Sequence, residues 1–157
     1  MDLILWRHAE ARDAKDGEDD LTRPLTPRGE KQAEKMAAWL NRYLPETAKV
    51  LVSPSVRTRK TADALGRKLR VVDALAPGAG AHQLLDAARW PDSREPVVLV
   101  GHQPALGQLA ALLMAGGAAL DGPGWAIRKG AVWWLRHRVR EDRAEVVLVT
   151  VRTPEML

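Results

Sequence analysis

Hydrophobic and polar positions along this chain come in blocks rather than in strict alternation. Leu3-Ile4-Leu5-Trp6 is an unbroken apolar run, and Val50-Leu51-Val52 and Val97–Val100 are two more. Short runs with no polar face predict strands buried on both sides. "RVVDAL" at 70–75 predicts a further strand. Between these runs, apolar residues recur at spacings of three and four. In 26–44, Ala33, Met36, Ala37, Leu40 and Leu44 share one face, with Thr26 at the N-cap position and Pro27 opening the helix. The stretch 55–69 predicts a second helix with Ala62, Leu65 and Leu69 inward. Residues 82–90 predict a short third helix, and 104–116 an apolar fourth closed by Gly116-Gly117. The character then changes. "GAVWWLRHR" and "AEVVLVTV" flank the polar "VREDR", which predicts a hairpin or edge pair. Trp133 and Trp134 fall on opposite faces of such a strand, one toward the core and one toward an edge or interface.

Buried strands alternating with helices predict a single α/β domain over 1–157. Its expected form is a three-layer α/β/α sandwich with a mainly parallel sheet and antiparallel edge strands near the C-terminus. The 157 residues, 46% apolar and 28% charged, suffice for one substantial core. The absence of cysteine excludes disulfides and thiolate metal sites. No apolar run approaches the ~20 residues that span a bilayer. The N-terminus becomes charged too soon for a secretory signal, so the expected location is cytoplasmic. The net charge of +4 rests mostly on arginine, whose planar fork suits phosphate and carboxylate. No basic run is interleaved with aromatics, and neither nucleic acid nor membrane is an expected partner.

In open α/β sheets ligands bind beyond the carboxyl ends of the strands, so the residues just past each strand are informative. Arg7 and His8 lie beyond the first. Ser53, Pro54 and then Arg57 lie beyond the second. Gly101 and His102 end the fourth, directly before a helix opened by Pro104. The third leads only into "APGAGAH". Two arginines beside two histidines oppose a bound cation, and no H-x-H or H-E-x-x-H spacing is present. An anion fits better. Arg7 and Arg57 can each donate paired hydrogen bonds to phosphate oxygens, and a helix N-terminus after His102 adds backbone donors. Positive surroundings also hold His8 or His102 neutral and able to attack. Ser53 is expected to bond its local turn. His82 is expected to cap or pack, and His137 to be exposed.

These residues resemble the histidine phosphatase superfamily, with its phosphoglycerate mutase-like fold. "RHAEA" resembles the family's Arg-His-Gly signature, and "LTPRGEKQA" its Leu-Thr-x-x-Gly-x-x-Gln-Ala helix start. "VSPSVRTRKTA" resembles its Ser-Pro-x-x-Arg-x-x-Gln-Thr-Ala stretch, and "VVLVGHQP" the strand that delivers its second histidine. The small size resembles the SixA-type phosphohistidine phosphatase branch. The resemblance implies that His8 is a nucleophile forming a transient phosphohistidine and that Arg7 and Arg57 clamp the phosphoryl oxygens. It implies that His102 donates to that group during transfer, that Arg23 stands near the phosphate, and that no metal or other cofactor is needed. Ala9 replaces the signature glycine and Lys60 a glutamine.

Larger members supply a carboxylic acid after the third strand or after the second histidine. Here "APGAGAH" and Gln103 occupy those positions. An alkoxide leaving group needs a proton, whereas imidazole, with a pKa near ~6.5, leaves comparatively readily. The expected substrate is therefore phosphohistidine on a protein. The alternatives are a small phosphate ester, with Glu10 as the acid, or a non-catalytic module that binds phosphate or a phosphoprotein. A phosphate or sulfate ion is expected to fit the site. The charged loop from Ala11 to Pro24 is the one segment able to cover it, and its Gly17 and acidic run suggest mobility.

Overall fold

A computed structural model describes residues 1–157. Six strands form one sheet in the order β3-β2-β4-β1-β5-β6, namely β1 (Asp2–Arg7), β2 (Lys49–Val52), β3 (Arg70–Val71), β4 (Val97–Gly101), β5 (Val132–Arg140) and β6 (Arg143–Arg152). The first four run parallel, and β5 and β6 are antiparallel to their neighbours. β1 lies between β4 and β5, which is why Leu3, Ile4, Leu5 and Trp6 are all fully buried. Side chains alternate across the sheet. Leu3, Leu5, Val97 and Leu99 face helices α3 (Ala81–Ala88) and α4 (Ala105–Ala115). Ile4, Trp6, Val98 and Val100 face α1 (Pro27–Tyr43) and α2 (Val56–Asp63). The result is the expected three-layer sandwich. No helix is long and apolar enough to cross a membrane.

Register is what assembles the site. Trp6 and Val52 both pair with Val100, and Arg7 pairs with Gly101. The three central strands thus end in step, and His8, Ser53 and His102 leave the sheet at one edge. Thr26 caps α1, its hydroxyl accepting from the Gly29 N–H at 3.0 Å. Gly29 is required for a tertiary reason: a Cβ there would lie 2.0 Å from the Glu10 carbonyl oxygen. The first turn of α1 is thereby pressed against the segment just beyond the nucleophile candidate.

Three elements differ from the sequence expectation. The second helix ends at Asp63 rather than near 69, because Gly66 takes a left-handed φ of 66° and Asn41 of α1 donates to the Leu65 carbonyl at 2.9 Å. The third strand keeps only Arg70 and Val71, both exposed, before a short turn at Asp73–Leu75. The loop expected to be a mobile cover is fastened at its base, where Arg12 N–H donates to the Pro24 carbonyl and Ala11 bridges Leu25. The hairpin forms as expected, turning at Glu141-Asp142 with both φ values positive. Trp134 is buried and Trp133 half-buried, as the alternation required. His82 is exposed, and Gln83 rather than His82 closes the start of α3 by accepting from Gly80 N–H. His137 is half-buried, edge-on to Trp90 at 5.8 Å, rather than exposed.

Candidate active site

Main-chain bonds hold the His8 segment on three sides. His8 N–H donates to the Gly101 carbonyl at 3.1 Å, the His8 carbonyl accepts from Gly130 N–H at 3.0 Å, and Ala9 N–H donates to the Thr61 hydroxyl at 3.0 Å. None of these needs a particular side chain at position 8. Ala9, which replaces a glycine of the family signature, has no positive φ and is fully buried against Leu25 and Ala33. Its methyl fills core space, and this turn does not call for glycine.

The His8 and His102 rings stand 5.4 Å apart, centroid to centroid, tilted by 56°. His8 Nδ1 lies 2.7 Å from the Ala9 carbonyl oxygen. A carbonyl only accepts, so Nδ1 carries the proton and Nε2 keeps its lone pair. Burial, with the charges of Arg57, Arg7 and Arg23, pulls the His8 pKa from 6.5 down to about 4, outweighing the Ala9 hydrogen bond that favours the charged ring. Burial and Arg57, with smaller contributions from His8 and Arg7, pull His102 down to about 3, against the opposing charge of Asp20. Ser53 Oγ lies 2.7 Å from His102 Nε2, and Arg57 Nη2 approaches His102 Nδ1 at 3.4 Å. Arginine only donates, so Nδ1 presents its lone pair and Nε2–H is directed at Ser53. Both rings are neutral nitrogen bases near pH 7.

The two arginines are anchored alike. A main-chain carbonyl takes Nη1 of each: Ile127 O for Arg7 and Asp20 O for Arg57, both at 2.8 Å. The Nε of each is buried and bonded to nothing in the protein. Nε–H and Nη2–H form the side edge of a guanidinium, the edge that matches two oxygens of a phosphoryl group. The Arg7 guanidinium makes no other hydrogen bond within the protein, so its side edge is uncommitted. On Arg57, Nη2 is shared between Asp20 Oδ2 at 3.0 Å and His102, while the side chain is only 4% exposed. Buried N–H donors without acceptors are costly, and an oxyanion satisfies them. No three His, Asp or Glu side chains gather as a metal site would require.

Arg23 is close enough for its charge to act on His8, but its Nε donates to Asp20 Oδ1 at 3.0 Å and its Nη1 to the Arg12 carbonyl at 2.8 Å. Glu10 lies on the Arg7 side, where its carboxylate accepts from the Thr26 hydroxyl at 2.9 Å and pairs with Arg28 at 3.6 Å. Gln103 is occupied structurally, accepting from Gly107 N–H and donating to the Trp125 carbonyl. Three contributors escaped the sequence reading. Ser53 bonds His102 much more closely (2.7 Å) than its own turn at Ser55 N–H (3.4 Å). Thr61 holds Ala9, and Asp20 holds Arg57 and Arg23. For Ser53 the signal was its place at a strand end in step with Gly101; for Asp20 the sequence carries none.

The pKa shifts set a direction with pH. Both rings bind protons more weakly folded than at their ordinary 6.5, so unfolding takes up protons below that value. Stability is fully present above about pH 6.5 and declines as pH falls toward about 4 and then 3. The slope is at most about 1.4 kcal/mol per pH unit for each ring. Denaturant midpoints between pH 7 and 4.5 measure this, and His8→Ala removes part of the slope.

Fold and pocket together present two neutral imidazoles and two guanidinium groups beyond the carboxyl ends of a parallel sheet, a setting suited to an oxyanion. The profile described as the histidine phosphatase superfamily (branch 1) matches residues 3–77. An uncharacterised protein of Picosynechococcus is 37% identical over 125 residues, 74% of each chain. The phosphohistidine phosphatase SixA of Escherichia coli is 33% identical over 125 residues, 74% of this chain and 76% of that one. Among solved structures, the protein histidine phosphatase SixA complexed with tungstate superposes with a TM-score of 0.74 over 99% of both chains, at 24% identity. The chain belongs to the histidine phosphatase superfamily and is a phosphatase.

Proposed function

We propose that this phosphatase removes the phosphoryl group from phosphohistidine on a protein by way of a phosphoryl group carried on His8 Nε2. The observation that carries the reading is the Nδ1–H bond from His8 to the Ala9 carbonyl. In the first step the Nε2 lone pair attacks phosphorus and the P–N bond of the substrate breaks. A substrate ring protonated on its other nitrogen departs as neutral imidazole, with no acid supplied by the enzyme. In the second step water attacks phosphorus and the P–Nε2 bond breaks. His8, still holding its Nδ1 proton, leaves as neutral imidazole, and both water protons depart with phosphate as H2PO4⁻. One hydrogen bond thus serves both nucleophile and leaving group. Arg7 and Arg57 take the phosphoryl oxygens through their side edges. His102 takes up a proton as the anion arrives and donates from Nδ1, while the Ser53 hydroxyl satisfies Nε2.

The arrangement around Glu10 favours phosphohistidine over esters, because no free carboxylic acid stands ready for an alkoxide. The likeness to E. coli SixA, a phosphohistidine phosphatase, supports the same substrate class. The tungstate complex of a SixA of the same fold supports an oxyanion such as phosphate in the pocket. Turnover of free phosphohistidine against p-nitrophenyl phosphate and sugar phosphates tests the reading. We expect kcat/KM to favour phosphohistidine by at least about 100-fold, a difference of about 3 kcal/mol in the barrier. Faster ester turnover that disappears in Glu10→Gln would overturn it in favour of small esters.

A further inference from the structure

A basic hollow adjoins the candidate phosphoryl site on the side of Arg7. It holds about 320 Å³, and no apolar residue lines it. Arg7 forms one wall, Arg28, Arg128 and Lys129 supply further cations, and Glu10 and Glu155 are its two carboxylates. A second hollow of about 210 Å³ shares Arg28, Gln32 and Glu155 with the first and adds Lys31 and Lys35. Both carboxylates are engaged: Arg28 lies 3.6 Å from Glu10 and 3.9 Å from Glu155. Lys31, Lys35, Arg128 and Lys129 are exposed and form no ion pair within the protein.

These cations are mounted on backbone fastened to the nucleophile segment. Residues 127–130 are tied down at three points: the Ile127 carbonyl to Arg7, Gly130 N–H to the His8 carbonyl, and the Gly130 carbonyl to the Trp6 indole N–H. On the other flank Gln32 accepts from Glu10 N–H at 2.9 Å, and Gly29 lets α1 touch the Glu10 carbonyl. The positive flank therefore keeps a set position relative to His8.

From this we infer that the hollow is a docking surface for acidic residues flanking the phosphorylated histidine of a protein substrate. The inference rests on the phosphohistidine reading above and adds what the enzyme recognises beyond the phosphoryl group. Arg28, Lys31 and Lys35 extend about 10 Å along α1. That length, with Arg128 and Lys129 opposite, accommodates several carboxylates rather than the single acid group of a small metabolite. No aromatic lines either hollow to stack a base, which favours an acidic protein over nucleic acid.

The test uses three substrates: free phosphohistidine and two phosphohistidine peptides of equal length, one flanked by four Glu and one by four Lys. For the wild type, KM for the Glu peptide should be at least about tenfold below that for the Lys peptide. The difference should vanish near 1 M salt, where the screening length is about 3 Å. Arg128→Glu/Lys129→Glu and Lys31→Glu/Lys35→Glu should each erase or reverse that preference, leaving kcat and turnover of free phosphohistidine within twofold. Equal KM for both peptides, or variants that slow free phosphohistidine as much as the Glu peptide, would overturn the docking surface alone. A wild type inactive on all three substrates but active on esters would overturn the phosphohistidine reading and the docking surface with it.

Discussion

His8→Ala is expected to lower turnover by a factor of about 10⁴ or more while leaving the fold intact, as deletion of a covalent nucleophile does. The two halves of this expectation have separate causes. Activity is lost because Nε2 of His8 is the lone pair that the Ala9 carbonyl leaves available. The fold survives because position 8 is held through its own N–H and carbonyl, bonded to Gly101 and Gly130, and through Ala9 N–H on Thr61. Removing a ring whose charged form is disfavoured by burial also relieves destabilisation in acid. Circular dichroism and a denaturant melt at pH 7 should match the wild type, while phosphohistidine turnover falls to background. A variant that retained a tenth of the activity would move the nucleophile elsewhere, to His102 first.

Arg57→Lys carries the second-largest expected effect, a fall in kcat/KM of about 10²- to 10³-fold, the range for losing a preorganised donor. Lysine keeps the charge but has no side edge, and it cannot hold the Asp20 carbonyl and carboxylate while also presenting donors to a phosphoryl group. Asp20 is 52% exposed, and its carboxylate bonds the arginines Arg23 and Arg57 rather than presenting a group to the phosphoryl oxygens. Asp20→Asn should therefore cost much less, about tenfold, and chiefly in KM. Equal losses in the two variants would mean that Asp20 itself touches substrate.

The parts of this molecule legible in its sequence are those set by short-range rules. The apolar runs give away β1, β2 and β4 because strands buried on both faces carry no polar positions. Arg7, His8, Arg57 and His102 stand out as charged or basic residues at the ends of such runs, where the fold class puts ligands. The hidden parts depend on contacts between distant segments. The 16–20 stretch reads as solvated acid, yet Asp20 closes on Arg57, 37 positions away. Ser53 reads as a turn residue, yet it faces a ring 49 positions later. The second helix reads too long because its apolar spacing persists past Gly66, where a left-handed residue ends it. The basic hollow is illegible for the same reason: Lys31 and Arg128 reach the same region only through the close approach at Gly29 and the bond from Gly130 to His8.

The central claim is the phosphoryl group on His8, and rapid quench tests it directly. Enzyme is mixed with a ³²P-labelled phosphohistidine peptide, stopped in alkali within milliseconds, and the protein-bound label is mapped. The expected result is label on His8 alone, stable in base, released by acid, and absent in His8→Ala. Full-rate hydrolysis with no label on His8 at any quench time would contradict it.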